Sequence, residues 1–439
     1  MTKFAPSQAG TAVAKTNSRR RFLRGLAAAG ASATFGAAPV WAARRVQPRV
    51  VVIGGGFAGA SCAGFIKDED HDIDVTLLEP KTTYIACPLS NSVVVGHRTL
   101  QQQQFGYRGL AARGINVLHH RVTGVDAQKR TVKLDDGRQL AYDRLIVAPG
   151  VDLRFDALPG YDEAATQAMP HAWQAGAQTR LLQQQLQTMA NGGVVVISAP
   201  ANPYRCPPGP YERASLIAHY LKTHKPRSKL ILLDAKDQFS MQKLFEAAWA
   251  ELYVGLVEWV PLSAGGQVVR VEPATRTLVT EFATYKADVA NVIPPQRAAA
   301  AAQIAGVVDN TGWCPIDAVT FESTRQAAMH VLGDAIIAGG MPKSAFAANS
   351  QARACASAVV DLLRDRTPSA PKLINTCYAL VAPDYGISIA GVYQPANGQL
   401  TDVAGAGGTS PIAAPKSFRA QEALYAHAWF KTLTSSVFA

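Results

Sequence analysis

The sequence predicts an α/β protein of two Rossmann-like, doubly wound domains followed by a small C-terminal α+β domain. Three observations carry that prediction. A β-branched strand, Val50 to Ile53, runs straight into a turn bearing Gly54, Gly56 and Gly59. A second strand, Asp74 to Leu78, ends in an acid, Glu79, twenty residues past Gly59. The same succession of strand, strand and acid then recurs farther along the chain, at matching intervals.

The glycines let the backbone turn tightly off the first strand and approach a pyrophosphate, whose charge sits at the N-terminus of the following helix, Ala60 to Ile66. Glu79 stands where a carboxylate accepts from ribose hydroxyls. Strand, glycine turn, helix, strand and acid occur in the required order, so this stretch reads as a dinucleotide site. After Glu79 comes Thr82 to Asn91 with Cys87, then loop and helix over 92–115. Strands follow at Asn116–Val125 and Thr131–Leu134, with a turn at Asp135–Gly137. Tyr142 to Gly150 is a further strand ending in Pro149-Gly150.

The second unit opens with Val194 to Ser198, and Leu230 to Asp234 copies the strand that ends in an acid. Val271 to Leu278 echoes Val125 to Val132, and Asp288 echoes Asp143. The intervals agree: 75 residues from Val50 to Val125, and 77 from Val194 to Val271. The second glycine turn is missing, however. Ala199 to Glu212 carries five prolines, which remove backbone donors and block close approach to a pyrophosphate. Asp234 survives at the ribose position. The second domain therefore reads as a nicotinamide domain that has lost its nucleotide.

The first fold resumes with Met329 to Ala335, a strand ending in Gly333-Asp334, and a helix from Ala345 to about Arg364. Pro368 to Pro371 marks a linker. The expected organisation is 1–43 a signal peptide, 44–160 with 285–367 a discontinuous first domain, 161–284 the second, and 368–439 a cap and partner-interface domain.

At 439 residues, with 48% apolar and 17% charged residues, the chain can bury large cores. Its formal charge of +11 is concentrated at the start: residues 1–43 hold six basic residues and no acid, and setting these aside leaves +5. That remainder suits docking an acidic partner better than gripping nucleic acid. No apolar run downstream of residue 43 is long enough to span a bilayer. Six scattered cysteines and the histidines, His119-His120 included, show no metal spacing, so no metal is expected. No Cys-x-x-Cys-His is present, so any haem belongs to another chain. Ser18-Arg-Arg-Arg-Phe-Leu-Arg24, then an Ala/Gly stretch and Pro39-Val-Trp-Ala-Ala43, has the layout of a secretory signal of the twin-arginine type. That type implies export in the folded state to the periplasm.

With these motifs in hand, the chain resembles the flavoprotein subunit of flavocytochrome c sulfide dehydrogenase. The resemblance rests on Arg205-Cys206-Pro-Pro-Gly-Pro-Tyr-Glu-Arg213, Asn375-Thr-Cys377-Tyr and Tyr84-Ile-Ala-Cys87, and it extends over essentially the whole sequence. It implies two dinucleotide-binding domains of the glutathione-reductase type and FAD as cofactor. It implies a redox-active Cys206–Cys377 disulfide beside the flavin, a covalent link from Cys87 to the FAD 8α carbon, and a separate c-type cytochrome as electron acceptor. Gly54, Gly56, Gly59, Glu79, Pro149, Gly150, Gly333 and Asp334 are the expected cofactor-binding residues. Trp313 and Cys314 are expected to line the flavin pocket. Cys62 and Cys355 read as inert buried thiols.

The chemistry has its own logic. Hydrosulfide is a small nucleophile, and a disulfide is an electrophilic sulfur acceptor for it. Glu212, at the start of the next helix, can manage the sulfide proton or simply complement the helix dipole. The aromatic C-terminal stretch, including Phe418, Tyr425, Trp429 and Phe438, reads mainly as core, with its end a possible partner contact. Two other functions share these features: an accessory flavoprotein that reactivates a sulfur-carrier protein in thiosulfate oxidation, and a sulfide:quinone oxidoreductase. The latter is disfavoured because residues 416–439 offer at most one weakly amphipathic helix.

Overall fold

A computed structural model of the chain describes residues 47–439. The twin-arginine segment expected at 1–43 lies outside the described residues. The first domain is built on a parallel sheet of five strands, in the order Met329–Val331, Arg144–Val147, Arg49–Ile53, Asp74–Leu78, Asn116–Leu118. The central strands are apolar runs, not alternating ones, because helices cover both faces; Val50, Val51 and Val52 are all nearly inaccessible. Helix Phe57–Glu69 packs along helix Ala345–Leu363, and the pair is tied by Asn349 to Ser61 at 2.8 Å and Ser357 to Glu69 at 2.6 Å.

The second domain repeats the plan with four parallel strands, Val257–Val260, Lys229–Asp234, Val194–Ala199 and Val289–Val292. Each domain also carries a three-stranded antiparallel meander: Val122–Asp126, Thr131–Leu134 and Gln139–Ala141 in the first, Val268–Glu272, Thr277–Thr280 and Thr284–Lys286 in the second. The chain passes between the domains along the antiparallel pair Val151–Leu153 and Gln296–Ala298.

Three expectations are corrected. Asn116–Val125 is not one strand: Asn116–Leu118 completes the parallel sheet and Val122–Asp126 starts the meander. The second domain does not end at 284, because Val289–Val292 pairs with its opening strand, as Arg144–Val147 does in the first. The residues after 368 are not a separate body. The antiparallel strands Leu373–Ala382, Tyr385–Ala396 and Gln399–Asp402, with helix Lys416–Phe438, share one continuous hydrophobic core with the first domain. Val437 and Phe438 are buried within that core. Phe438 is 5% exposed and its ring lies 5.3 Å from those of Tyr84 and Phe105. Phe418 and Tyr425, on the same helix and expected as core, are instead 41% and 50% exposed.

Candidate active site

One cavity lies where the glycine turn of the first domain, the proline-rich loop of the second and the first strand of the cap converge. Gly54, Gly56, Glu79, Pro149, Gly150, Gly333 and Asp334 line one part of it, and Cys87, Cys206, Cys377 and Glu212 line the other. Residues from six separated stretches of sequence thus meet in one place.

The glycine turn is sterically obligatory. Gly54 has φ +100°, and a Cβ there would stand 2.2 Å from the carbonyl oxygen of Ala148. Gly59 does not line the cavity; a Cβ there would stand 1.9 Å from the carbonyl oxygen of Gly54, so its part is to seat the helix on the strand. Glu79 accepts from the backbone N–H of Gly55 at 2.9 Å and of Lys81 at 3.1 Å, which holds the acid at the rim of the turn.

At the other end, Gly333 donates its N–H to Gln351 at 2.8 Å, and Asp334 is buried with its Oδ1 lacking any hydrogen-bond partner. Burial pushes the Asp334 carboxyl above the usual range, against the pull of Arg205 and Lys343. The indole N–H of Trp173, facing the same cavity, is likewise unpaired. An orphaned carboxylate oxygen and an orphaned donor beside a pyrophosphate turn fit a hydroxyl-rich, ring-bearing dinucleotide. These residues fit FAD.

Trp313 is placed differently from the expectation. Cys314 donates its N–H to Ala335 at 3.0 Å and accepts from Ile337 at 2.9 Å, so this segment docks along the outer side of the Gly333–Ile337 stretch. Trp313 accordingly faces a second cavity with Tyr204, Pro207 and Lys236, and the Lys343 ammonium lies 4.0 Å from its ring centroid. Cys314 is fully buried.

On the sulfur side, Cys206 sits in the left-handed region at φ +60°, a conformation costly for a residue with a side chain. It is held there by two bonds: its N–H donates to the Lys343 carbonyl at 2.8 Å, and its carbonyl accepts from Gly209 at 2.8 Å. Helix Gly209–His224 starts immediately after, with Pro210 and Glu212 in its first turn. Cys377 lies on the strand Leu373–Ala382, opposite Ile389. Burial pushes the Cys377 thiol up to about 12, with Glu212 adding to it. Burial also raises Cys206 well above the ordinary thiol range, with Cys377 and Glu212 adding and Arg205 opposing. The site therefore favours neutral sulfur, as thiol or disulfide, and Arg205 is the counter-charge for any thiolate.

Glu212 is buried, and its carboxyl is raised by desolvation despite accepting from Leu380 N–H at 3.0 Å and Asn91 Nδ2 at 2.6 Å. Asn91 in turn accepts from Arg213 at 2.9 Å, and Arg213 also donates to Asn291, His171 and Ala172. Arg213 is thus held by four hydrogen bonds at the cavity wall. Arg205, Asn91 and Trp173 complete the site but were not singled out as functional from the sequence. Arg205 adjoins Cys206 in the proline motif and Asn91 closes the Cys87 segment, so both had a positional signal; Trp173 had none.

The second domain's acid is not available to a ribose. Asp234 is inaccessible and spent on Tyr211 at 2.6 Å, Lys236 at 2.5 Å and Trp259 at 3.1 Å, while Tyr211 stacks on Phe239 at 3.6 Å. At the surface, His120 lies with Asp135 and Asp136, their ligand atoms within 4.8 Å of one another; sequence spacing did not show this grouping across a hairpin. No helix among the described residues is long and apolar enough to cross a membrane.

Family models match three stretches. Residues 179–294 match the central part of the sulfide dehydrogenase (flavocytochrome c) flavoprotein chain, and 369–438 match the flavocytochrome c sulphide dehydrogenase flavin-binding region. Residues 48–197 match the pyridine nucleotide-disulphide oxidoreductases. The flavin-binding match agrees with Cys377, Tyr378 and Trp429 lining the cavity. The sulfide dehydrogenase (flavocytochrome c) flavoprotein chain of Chlorobaculum thiosulfatiphilum is 58% identical over 45 residues, 94% of that sequence and 10% of this chain. The mitochondrial sulfide:quinone oxidoreductase of Mus musculus is 22% identical over 304 residues, 65% of each protein, so the match spans just under two thirds of that relative. The structure of the sulfide:quinone oxidoreductase from Aquifex aeolicus superposes with a TM-score of 0.70 at 17% identity, covering 89% of this chain and 92% of that one. That likeness establishes a shared two-domain fold. The chain belongs to the family of flavocytochrome c sulfide dehydrogenase flavoprotein chains.

Proposed function

We propose that this chain is an FAD-dependent sulfide dehydrogenase subunit that works through a Cys206–Cys377 disulfide and hands electrons to a c-type cytochrome. The observation that carries the reading is that Cys206, Cys377 and Glu212 line the same cavity as the dinucleotide cradle. Hydrosulfide attacks one sulfur of the disulfide. An S–S bond forms in the resulting persulfide, the Cys206–Cys377 bond breaks, and its electron pair leaves on the other sulfur as thiolate. Arg205 stabilises negative charge at Cys206, and Glu212, held by Leu380 and Asn91, takes or returns the sulfide proton. FAD bound in the cavity supplies a two-electron acceptor able to release electrons singly to a haem. Cys87, at the cavity wall, is the residue that would attach FAD covalently. The twin-arginine segment supports a periplasmic location.

A second reading keeps the sulfur chemistry and changes the acceptor to quinone, favoured by the similarity to sulfide:quinone oxidoreductases. Steady-state assays of the holoprotein with sulfide and either cytochrome c or a soluble quinone decide between them. Cytochrome reduction without quinone reduction is expected; the reverse would replace the acceptor. The carrier-reactivating alternative is tested by adding a persulfidated sulfur-carrier protein in place of sulfide.

A further inference from the structure

The two cysteines come from different domains, and their separation is fixed by a dipeptide belonging to neither segment. The Lys343 carbonyl accepts from the N–H of Cys206 at 2.8 Å. The next residue, Ser344, donates its hydroxyl to Asn375 Oδ1 at 2.6 Å. Asn375 is 2% exposed and lies two residues before Cys377 on the same strand, so its side chain and that of Cys377 project from the same face. Two consecutive residues thus hold the backbone of one cysteine and the strand face of the other.

This dipeptide is itself anchored. The Lys343 ammonium donates to the carbonyl of Asp334, which lines the cofactor part of the cavity, at 2.8 Å and to that of Ile336 at 2.6 Å. Ser344 caps helix Ala345–Leu363, accepting from Ala347 N–H at 3.0 Å. The Cys206 side needs such support, because its φ of +60° is not a conformation the residue holds unaided. On the far side, Glu212 fixes the same strand at Leu380, three residues beyond Cys377.

We propose that Ser344 and Asn375 are positioning residues that set the separation of Cys206 and Cys377 and thereby the stability of the disulfide between them. The proposal rests on the disulfide reading given above. Closure of the disulfide removes two thiol protons and two electrons. In a dithiothreitol buffer the oxidised reagent takes both, becoming the reduced dithiol. Loss of the Ser344–Asn375 bond lowers the effective concentration of one thiol at the other, and closure becomes less favourable.

The test is a redox titration of the purified holoprotein in dithiothreitol buffers, read by mass spectrometry of alkylated Cys206 and Cys377 peptides. In S344A and N375A the closure equilibrium constant should fall about tenfold, a rise in midpoint of about 30 mV. The double variant should shift no further than either single, since both remove one bond. S344T, which keeps the hydroxyl, should restore the wild-type midpoint. N375A leaves the helix cap intact and reads the same contact should S344A not fold. Unchanged midpoints with a lowered Tm would reduce Ser344 to a helix cap and overturn the proposal. A wild-type protein whose two thiols never close would instead sink the disulfide reading itself.

Discussion

Glu212, in the first turn of the helix that follows Cys206, accepts from the backbone N–H of Leu380, on the strand that carries Cys377. One buried carboxylate therefore joins the two cysteine-bearing segments, and its desolvated, raised carboxyl stands in the same cavity as both sulfurs. Glu212→Ala leaves the Leu380 N–H without a partner and should destabilise the protein by about 1–3 kcal/mol. Glu212→Gln retains an acceptor for Leu380. It should lower the rate of sulfide-dependent flavin reduction about a hundredfold and remove one limb of the pH–rate profile. A Glu212→Gln profile identical in shape to the wild type would confine Glu212 to a structural part.

The committed acid of the second domain gives a sharper contrast. NADH and NADPH should leave the flavin oxidised under anaerobic mixing, because Asp234 is committed to Tyr211, Lys236 and Trp259. Asp234→Ala should not create a nicotinamide site. It strands a buried lysine and should cost about 3–5 kcal/mol, measurable by denaturant unfolding. Flavin bleaching by either nicotinamide would show that the second domain still works as a nucleotide site.

Much of this was legible in the sequence because the repeat is physical. Asp143 accepts from Arg49 N–H at 2.7 Å and Asp288 from Val194 N–H at 2.8 Å, each across 94 residues. The echo read from residue types is the same strand-start contact made twice. The boundary at 284 missed the strand Val289–Val292 even though it follows Asp288 as Arg144–Val147 follows Asp143. Trp313 was misplaced because only the bridge from Cys314 to the Gly333–Ile337 stretch decides which way its segment faces. The Tyr211–Phe239 stack and the Ser344–Asn375 bond join residues far apart in sequence, which no local pattern announces.

Acid lability has two identifiable sources. Burial holds His171 neutral down to about 3 and His330 down to about 4, both far below the ordinary value of 6.5. The unfolded chain binds those protons more readily, so stability is full above about pH 6.5 and falls as pH drops toward the folded values. His171 also accepts from Trp173 N–H at 2.8 Å through Nδ1, a contact that protonation removes. Thermal unfolding between pH 7.5 and 4.5 should show a falling Tm, and His171→Asn should flatten that fall. A pH-independent Tm over this range would contradict the assignment.

Gly59→Ala should yield protein with little bound flavin, because the new methyl meets the Gly54 carbonyl at 1.9 Å and forces the helix off the strand. The ratio of flavin to protein absorbance after purification reads this directly. Full occupancy would mean that the turn can relax, and that the glycine is not required for the cradle.

The central claim is that a Cys206–Cys377 disulfide is the sulfide acceptor, and anaerobic stopped-flow flavin absorbance tests it most directly. Wild-type holoprotein mixed with sulfide should bleach rapidly and then reduce added cytochrome c. Cys206→Ser should slow bleaching on the order of a thousandfold or more, the scale expected when a covalent acceptor is removed. Bleaching of Cys206→Ser at the wild-type rate, or a wild-type flavin that stays oxidised in sulfide, would contradict the account.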